Sequence, residues 1–248
     1  MSRSRRGDAV NSLILARVVW LEILRRKDLY VLGLLLAAAL RIVNLSEAPP
    51  GLQHDEVFHA HDAFTVRQGY TPLWFTSNAG NEPLFIYLMA STTALFGDNV
   101  LGVRFTAVAC GLLTLTFIYR WGRIAYGRRV GLYAAWFAAL SFWPVWMSRV
   151  GLRAVSLPPL VALTGWLWTR ALILTSRGER EQAGPLRNAG PFVAAGAALG
   201  LTLYTYPAAF AAPLVFGALY LYILLLERDV LRRVSPSHLA FWLAAGLT

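Results

Sequence analysis

The 248-residue chain has a single cysteine, Cys110, so no disulfide and no cysteine-based metal site can form within it. Cys110 lies inside an apolar run and reads as a small buried side chain. Charge is scarce: 15% of residues are charged, where a soluble domain carries about a quarter. Acidic residues are the scarcer sign, 13 against 23 Lys and Arg. There is no HExxH motif, no low-complexity tract and no internal repeat of ~20–50 residues. The opening Met1-Ser2-Arg3-Ser4-Arg5-Arg6 resembles the basic start of a signal peptide. Arg17 and Glu22 interrupt the apolar stretch next to it, so no cleaved signal is expected.

Apolar residues dominate instead. They make up 57% of the chain, and the mean hydropathy is +0.51. They come in long runs, which predicts an all-α, polytopic transmembrane helix bundle. The net charge of +10 then reads as membrane topology, not as a nucleic-acid surface. Val10, Leu13, Ile14, Val18, Leu21 and Leu24 recur at helical spacing, so residues 1–28 are expected to form a cytoplasmic amphipathic segment. The membrane domain is expected over 29–248. Its first span is Leu29–Leu45, with Arg41 near the end, either snorkelling or facing a polar cavity.

Later spans are expected at Val100–Trp121, Val130–Ser148 and Ala154–Leu174. A pair comes next at Pro191–Tyr206 and Ala209–Leu226, and another span begins at His238. Gly196 and Gly200 are spaced for close helix packing. Ser235-Pro236 has the signature of a helix start. The last apolar run stops short of the ~20 residues a span needs, so the chain is expected to be the N-terminal part of a longer protein. Pro83–Phe96 is apolar but only 14 residues long, about 21 Å of helix against a core of about 30 Å. It is predicted to lie in the outer interface. With that helix not crossing, 18 of the 23 Lys and Arg fall on the cytoplasmic side, as the positive-inside rule requires. Residues 46–99 then form the first extracytoplasmic loop.

That loop holds the main cluster of ionisable groups, in Gln53–Arg67. A helix is expected over Asp55–Gln68, closed by Gly69, which puts Asp55, His59 and Asp62 on one face. A carboxylate at a membrane interface can act as a general base if its pKa is raised; a solvated loop is the plainer alternative. One or two histidines with Asp55 or Glu56 offer donors to a divalent metal ion, with His59 and Asp62 as the candidate ligands. Glu82, beside Asn81, either complements the start of the next helix or faces the same outer cavity as Asp55. Arg149 and Arg153, four apart on the outer side, suit a lipid-linked phosphate or ordinary headgroup contact. Arg104 and Arg41 are lesser candidates for the same role. Outer aromatics such as Trp74 or Tyr206 read first as belt and packing residues.

The order of these features resembles the GT-C membrane glycosyltransferases. A basic N-terminus and one span are succeeded by Asp55-Glu56, then Asn81-Glu82-Pro83-Leu84, then Tyr126-Gly127-Arg128-Arg129-Val130-Gly131. Ser148-Arg149-Val150-Gly151-Leu152-Arg153 and Tyr204-Thr205-Tyr206-Pro207 complete the pattern. The likeness is to the branch of protein O-mannosyltransferases, lipid A aminoarabinose transferases and Rgt-like relatives. It implies a GT-C-type bundle in the cytoplasmic membrane, N-terminus inside, with an outer loop of interfacial helices. It implies transfer of a sugar from a polyprenyl-phosphate donor to a lipid, glycan or protein hydroxyl on the outer face, with Asp55 as base and Glu56 in support. Asn81, Glu82, Arg104, Arg149 and Arg153 are the residues expected toward substrate and phosphate. Three other classes remain open: a transporter, a noncatalytic envelope-assembly subunit and a metal-dependent membrane hydrolase. Charges gathered at the outer mouth, not at mid-membrane, disfavour the transporter.

Overall fold

The computed structural model describes residues 28–176, 185–226 and 239–248. The expected N-terminal amphipathic segment, the Ser235-Pro236 helix start and many of the arginines expected on the cytoplasmic side lie outside them. Among the described residues the chain is helical, and its only strand-like feature is an isolated bridge between Phe75 and Asn81. The α-helices are α1 (Asp28–Ile42), α2 (His54–Arg67), α3 (Pro83–Phe96), α4 (Val100–Tyr126), α5 (Arg128–Leu140), α6 (Phe142–Met147), α7 (Leu157–Ser176), α8 (Pro185–Thr202) and α9 (Ala211–Leu226). A last helix, α10, covers 239–247.

Local chemistry sets most boundaries. α2 opens with Asp55 and Glu56 in its first turn and closes with Arg67 in its last, each favourable to the helix dipole. α3 begins on Pro83, whose missing N–H is no loss at that position. α4 is capped by the Asn99 side chain, which accepts the Gly102 N–H at 3.0 Å. It ends at Gly127, whose φ of +92° suits glycine alone, and α5 starts at the next residue.

The expected span Val130–Ser148 is two helices instead, broken at Ser141 (φ −65°, ψ 138°). Pro144 is the cause. Its ring would clash with the Leu140 carbonyl and it has no N–H to donate there, whereas a position in the first turn of a new helix suits it. α8 also begins earlier than expected and carries Pro191 inside it.

α4 is the axis. Tyr30 at the start of α1 stacks on Tyr119 near the end of α4, centroids 4.1 Å apart, so α1 and α4 run antiparallel. α3 buries Phe85, Ile86, Met89 and Ala90 against Val103 and Ala107 of α4 and Ala63 of α2. Burial of a large apolar side chain contributes roughly 1.5–3 kcal/mol, so this short helix is pinned by packing. Gly196 and Gly200 do what their spacing suggests: a Cβ on Gly196 would lie 2.1 Å from the Phe241 carbonyl oxygen, and one on Gly200 2.7 Å from that of Ala245. α8 and α10 therefore meet backbone to backbone.

Among the described residues two helical stretches are long and apolar enough to cross a membrane, Val100–Tyr126 and Arg153–Thr175, and four shorter ones are apolar. Large apolar side chains such as Leu35, Leu95, Phe137, Leu214 and Leu226 are exposed on the outer helix faces, more than a water-facing surface of isolated patches carries. The α4–α7 seam is tight at Gly165, where a Cβ would lie 2.5 Å from the Trp121 ring. Gly165→Val should therefore cost about 1–3 kcal/mol. Gly217→Ala, whose nearest neighbour is Trp242 at 3.8 Å, should be neutral or stabilise by up to about 1 kcal/mol. Thermal midpoints of the two purified variants in detergent check the pair, and equal shifts would contradict the seam.

Candidate functional site

The N-terminal end of α4 gathers α2, the 44–52 segment, the 75–82 loop and the segment from Ser148 to Arg153. A buried ion pair ties them. Arg104 on α4 and Glu56 on α2 are both fully buried. Arg104 Nε donates to Glu56 Oε1 at 3.0 Å and Nη2 to Oε2 at 3.3 Å. Nη1 donates to the carbonyls of Leu45 (3.0 Å) and Pro49 (2.8 Å), and Nη2 also to that of Gly51. All five N–H groups of the guanidinium thus have acceptors. Glu56 is equally engaged, accepting the Gly151 and Gln53 backbone N–H groups, each at 2.8 Å. Arg104, expected toward phosphate, has no donor left for one. Glu56, expected to support Asp55 at the reaction, is sealed beneath it.

Arg149 also differs from its expectation. Nη1 donates to the Leu40 carbonyl at 2.8 Å, and Nη2 to those of Val43, Asn44 and Ala48 at 2.9, 3.3 and 2.8 Å. It caps the C-terminal end of α1, where free carbonyls and the helix dipole favour a cation. Arg41 is buried, donating to Ser148 Oγ (3.2 Å) and to the Ala37 and Ala139 carbonyls (3.1 and 3.2 Å). It lines a cavity of about 340 Å³ with Thr114, Ile118, Trp143, Met147 and Pro158. That cavity is mainly apolar, unlike the polar one its charge suggests.

The shared face of α2 meets the 75–82 loop and Gly151, and it changes character along its length. His59 is buried, its Nδ1 3.0 Å from the Gly151 carbonyl. A carbonyl only accepts, so Nδ1 carries the proton. Asp62 is buried and accepts from Ser77 Oγ. Asn81 Nδ2 donates to Ser77 at its carbonyl (3.0 Å) and hydroxyl (3.1 Å). Arg153 Nη1 donates to Asn81 Oδ1 and to the Gly80 carbonyl, the latter at 2.8 Å. It also lies 3.1 Å from Glu82 Oε2. That buried oxygen makes no hydrogen bond among the described residues, so the pair is held by charge alone. Arg153 also lies over the Tyr206 ring at 5.7 Å, which brings the Tyr204–Pro207 motif to the site.

Asp55 is the exception. Its side chain is 52% exposed, with one oxygen accepting from Asn78 Nδ2 at 2.8 Å. That hydrogen bond, with smaller help from His54 and His59, holds its pKa below the usual carboxylate value. A raised pKa is the expectation from a membrane-interface position; exposure and the Asn78 donor reverse it, and Asp55 stands ionised. Sequence reasoning missed Ser77, Asn78, Gly151 and Tyr206 as partners. Asn78 had a signal, since a polar residue in a Ser-Asn-Ala-Gly turn tolerates the left-handed backbone seen there (φ 48°).

Among the described residues no three His, Cys, Asp or Glu side chains come together as a metal-holding group. His59 and Asp62, the candidate ligands, are turned to Gly151 and Ser77.

These placements set the response to pH. Burial, with a smaller push from the Arg153 charge, depresses the His59 pKa below its ordinary 6.5. The unfolded state then binds the proton more readily, so the contribution of neutral His59 is present above about pH 6.5 and lost as pH falls. Asp55, depressed below 3.8, contributes in a separate window, lost below about pH 4. His59→Gln keeps a donor for Gly151 and removes the titration. Its thermal midpoint should fall less between pH 7 and pH 5 than that of the parent; an equal fall would contradict this placement.

Residues 80–247 match the family model for dolichyl-phosphate-mannose-protein mannosyltransferases. No curated protein and no solved structure matches the chain. The matched stretch starts within the loop that carries Asn81 and Glu82, and includes Arg104, Arg149, Arg153 and Tyr206. It covers well over half of the sequence, and the chain belongs to the dolichyl-phosphate-mannose-protein mannosyltransferase family, a group of GT-C-type glycosyltransferases.

Proposed function

We propose that this chain moves a sugar from a polyprenyl-phosphate donor to a hydroxyl acceptor on the extracytoplasmic face of the cytoplasmic membrane, with inversion. One observation carries the reading. Of the four carboxylates gathered around α2, namely Asp55, Glu56, Asp62 and Glu82, only Asp55 opens outward. The others are matched by Arg104, Ser77 and Arg153. An ionised, accessible carboxylate at the rim is what a general base needs.

Asp55 takes the proton of the acceptor hydroxyl as its oxygen attacks the anomeric carbon. The bond from that carbon to the phosphate oxygen breaks, and its electron pair leaves with the phosphate. A single displacement inverts the anomeric centre. Arg153 is assigned to the leaving phosphate. Its Nε and Nη2 make no hydrogen bond among the described residues, and fixed donors stabilise charge that develops at the transition state. Asn81 and Glu82 aim Arg153. The apolar cavity beside Arg41 suits the first isoprene units of a lipid donor. Glu56, Arg104 and Arg149 position the site and do not touch the reacting atoms. The outer loop is 46–99, the long and short apolar helices form the membrane bundle, and the arginine count sets its orientation.

Asp55→Asn tests the reading with little change in shape. In proteoliposomes supplied with a labelled polyprenyl-phosphate sugar, transfer should fall by about 10²–10⁴-fold, the usual contribution of a general base. The thermal midpoint at neutral pH should fall only by the small contribution that ionised Asp55 makes through Asn78, with the chain still folded. Parental turnover in the variant would defeat the assignment.

A further inference from the structure

The six carboxylates with described side chains, Glu47, Asp55, Glu56, Asp62, Glu82 and Asp98, all lie toward the N-terminal end of α4. The other end of α4 is different. Between α1, α4 and α7 there is a pocket of about 640 Å³ lined by Tyr30, Tyr119, Arg120, Arg123, Trp166 and Arg170, among others. The Arg120 guanidinium lies 4.9 Å from the centre of the Trp166 ring, and that of Arg170 lies 6.0 Å from it. Trp166 stacks in turn on Phe117, centroids 6.1 Å apart. Two cations therefore share one aromatic ring, with a third, Arg123, in the same wall.

The ion pairs found among the described residues involve none of these arginines. Each gains from the ring, but the two repel each other, and an anion between them relieves that. Planar guanidinium groups lining one concave site match the oxygens of a phosphate. The wall adds Tyr30, whose hydroxyl donates to Thr116 Oγ1 at 3.3 Å.

The surroundings select the carrier of that phosphate. Tyr126, Val130 and Tyr133 are exposed at this end of the bundle, the mix of aromatic and apolar residues found where a membrane protein meets headgroups. A basic pocket between helices at that depth is reached sideways from a lipid leaflet. We propose that this pocket binds the phosphate of an anionic phospholipid headgroup, in the leaflet opposite the Asp55 site. The inference concerns binding, and does not depend on the chemistry assigned to Asp55.

Delipidated full chain, titrated with phosphatidylglycerol in detergent and read by native mass spectrometry, tests it. Arg120→Gln with Arg170→Gln should weaken lipid binding by about tenfold or more, about 1.4 kcal/mol or more. Arg128→Gln with Arg129→Gln, the same charge change outside the pocket, should leave binding unchanged. Equal weakening by both pairs means diffuse surface charge and overturns the pocket. Inorganic phosphate that displaces the lipid at comparable concentration means a soluble anion and overturns the lipid assignment. If the Gln pair does not purify as a single species, Arg120→Lys with Arg170→Lys is read instead. It keeps the charge but loses the planar fork, and should still bind several-fold more weakly; parental affinity there overturns the proposal.

Discussion

The Asp55 end of this bundle depends on one buried ion pair, Glu56 with Arg104. Removing two charges from water is costly unless every donor and acceptor finds a partner. Here each of the five guanidinium N–H groups does, and the carboxylate takes two backbone N–H groups besides. Those partners come from α2, from the 45–51 segment and from Gly151, stretches far apart in sequence. The pair thus fixes how α2 lies on α4, and Asp55 is the next residue along. With Glu56 locked inward, Asp55 is held at the rim. A helix that slipped by one residue would bury Asp55 and expose Glu56.

The same logic sorts the remaining charges. Arg67 is spent on Asp98 at the surface, and Arg149 on the carbonyls that end α1. Arg153 is drawn to Asn81, Glu82 and Tyr206, and Arg41 sits in the wall of an apolar cavity. Of the arginines at this end of the bundle, these last two are the ones best placed to meet a ligand. His59, buried and neutral, braces Gly151 from α2, so the segment that meets Glu56 is held from two directions.

Much of the fold is legible in the sequence, where the signal is local. Pro83 and the glycine after Phe96 bound α3 to the residue, and the acidic first turn and basic last turn frame α2 within one position. Membership in a GT-C family emerges from motifs whose order survives even though each is loose. The pairings are not legible. Arg104 finds Glu56 across 48 positions, and Arg149 reaches Leu40 across 109. Nothing in a run of sequence distinguishes an arginine that will meet carbonyls from one that will meet phosphate. The break at Ser141 has a signal in Pro144, but apolar length outweighs it in a reading by runs. The direction of the Asp55 shift is hidden for the same reason as the pairings, because the donor comes from Asn78 on a different loop.

The two ends of α4 carry opposite chemistry, carboxylates and their partners at one and arginines gathered on Trp166 at the other. At the first end, a double-mutant cycle on Glu56→Gln and Arg104→Met, with unfolding and sugar transfer measured together, probes the central interaction directly. Each single change should destabilise by about 3–5 kcal/mol, because it leaves the partner buried and unmatched. The double variant should cost much less than the sum, and transfer should fall in all three with Asp55 untouched. Additive losses, or a fully active Arg104→Met, would contradict the claim that this pair holds the site.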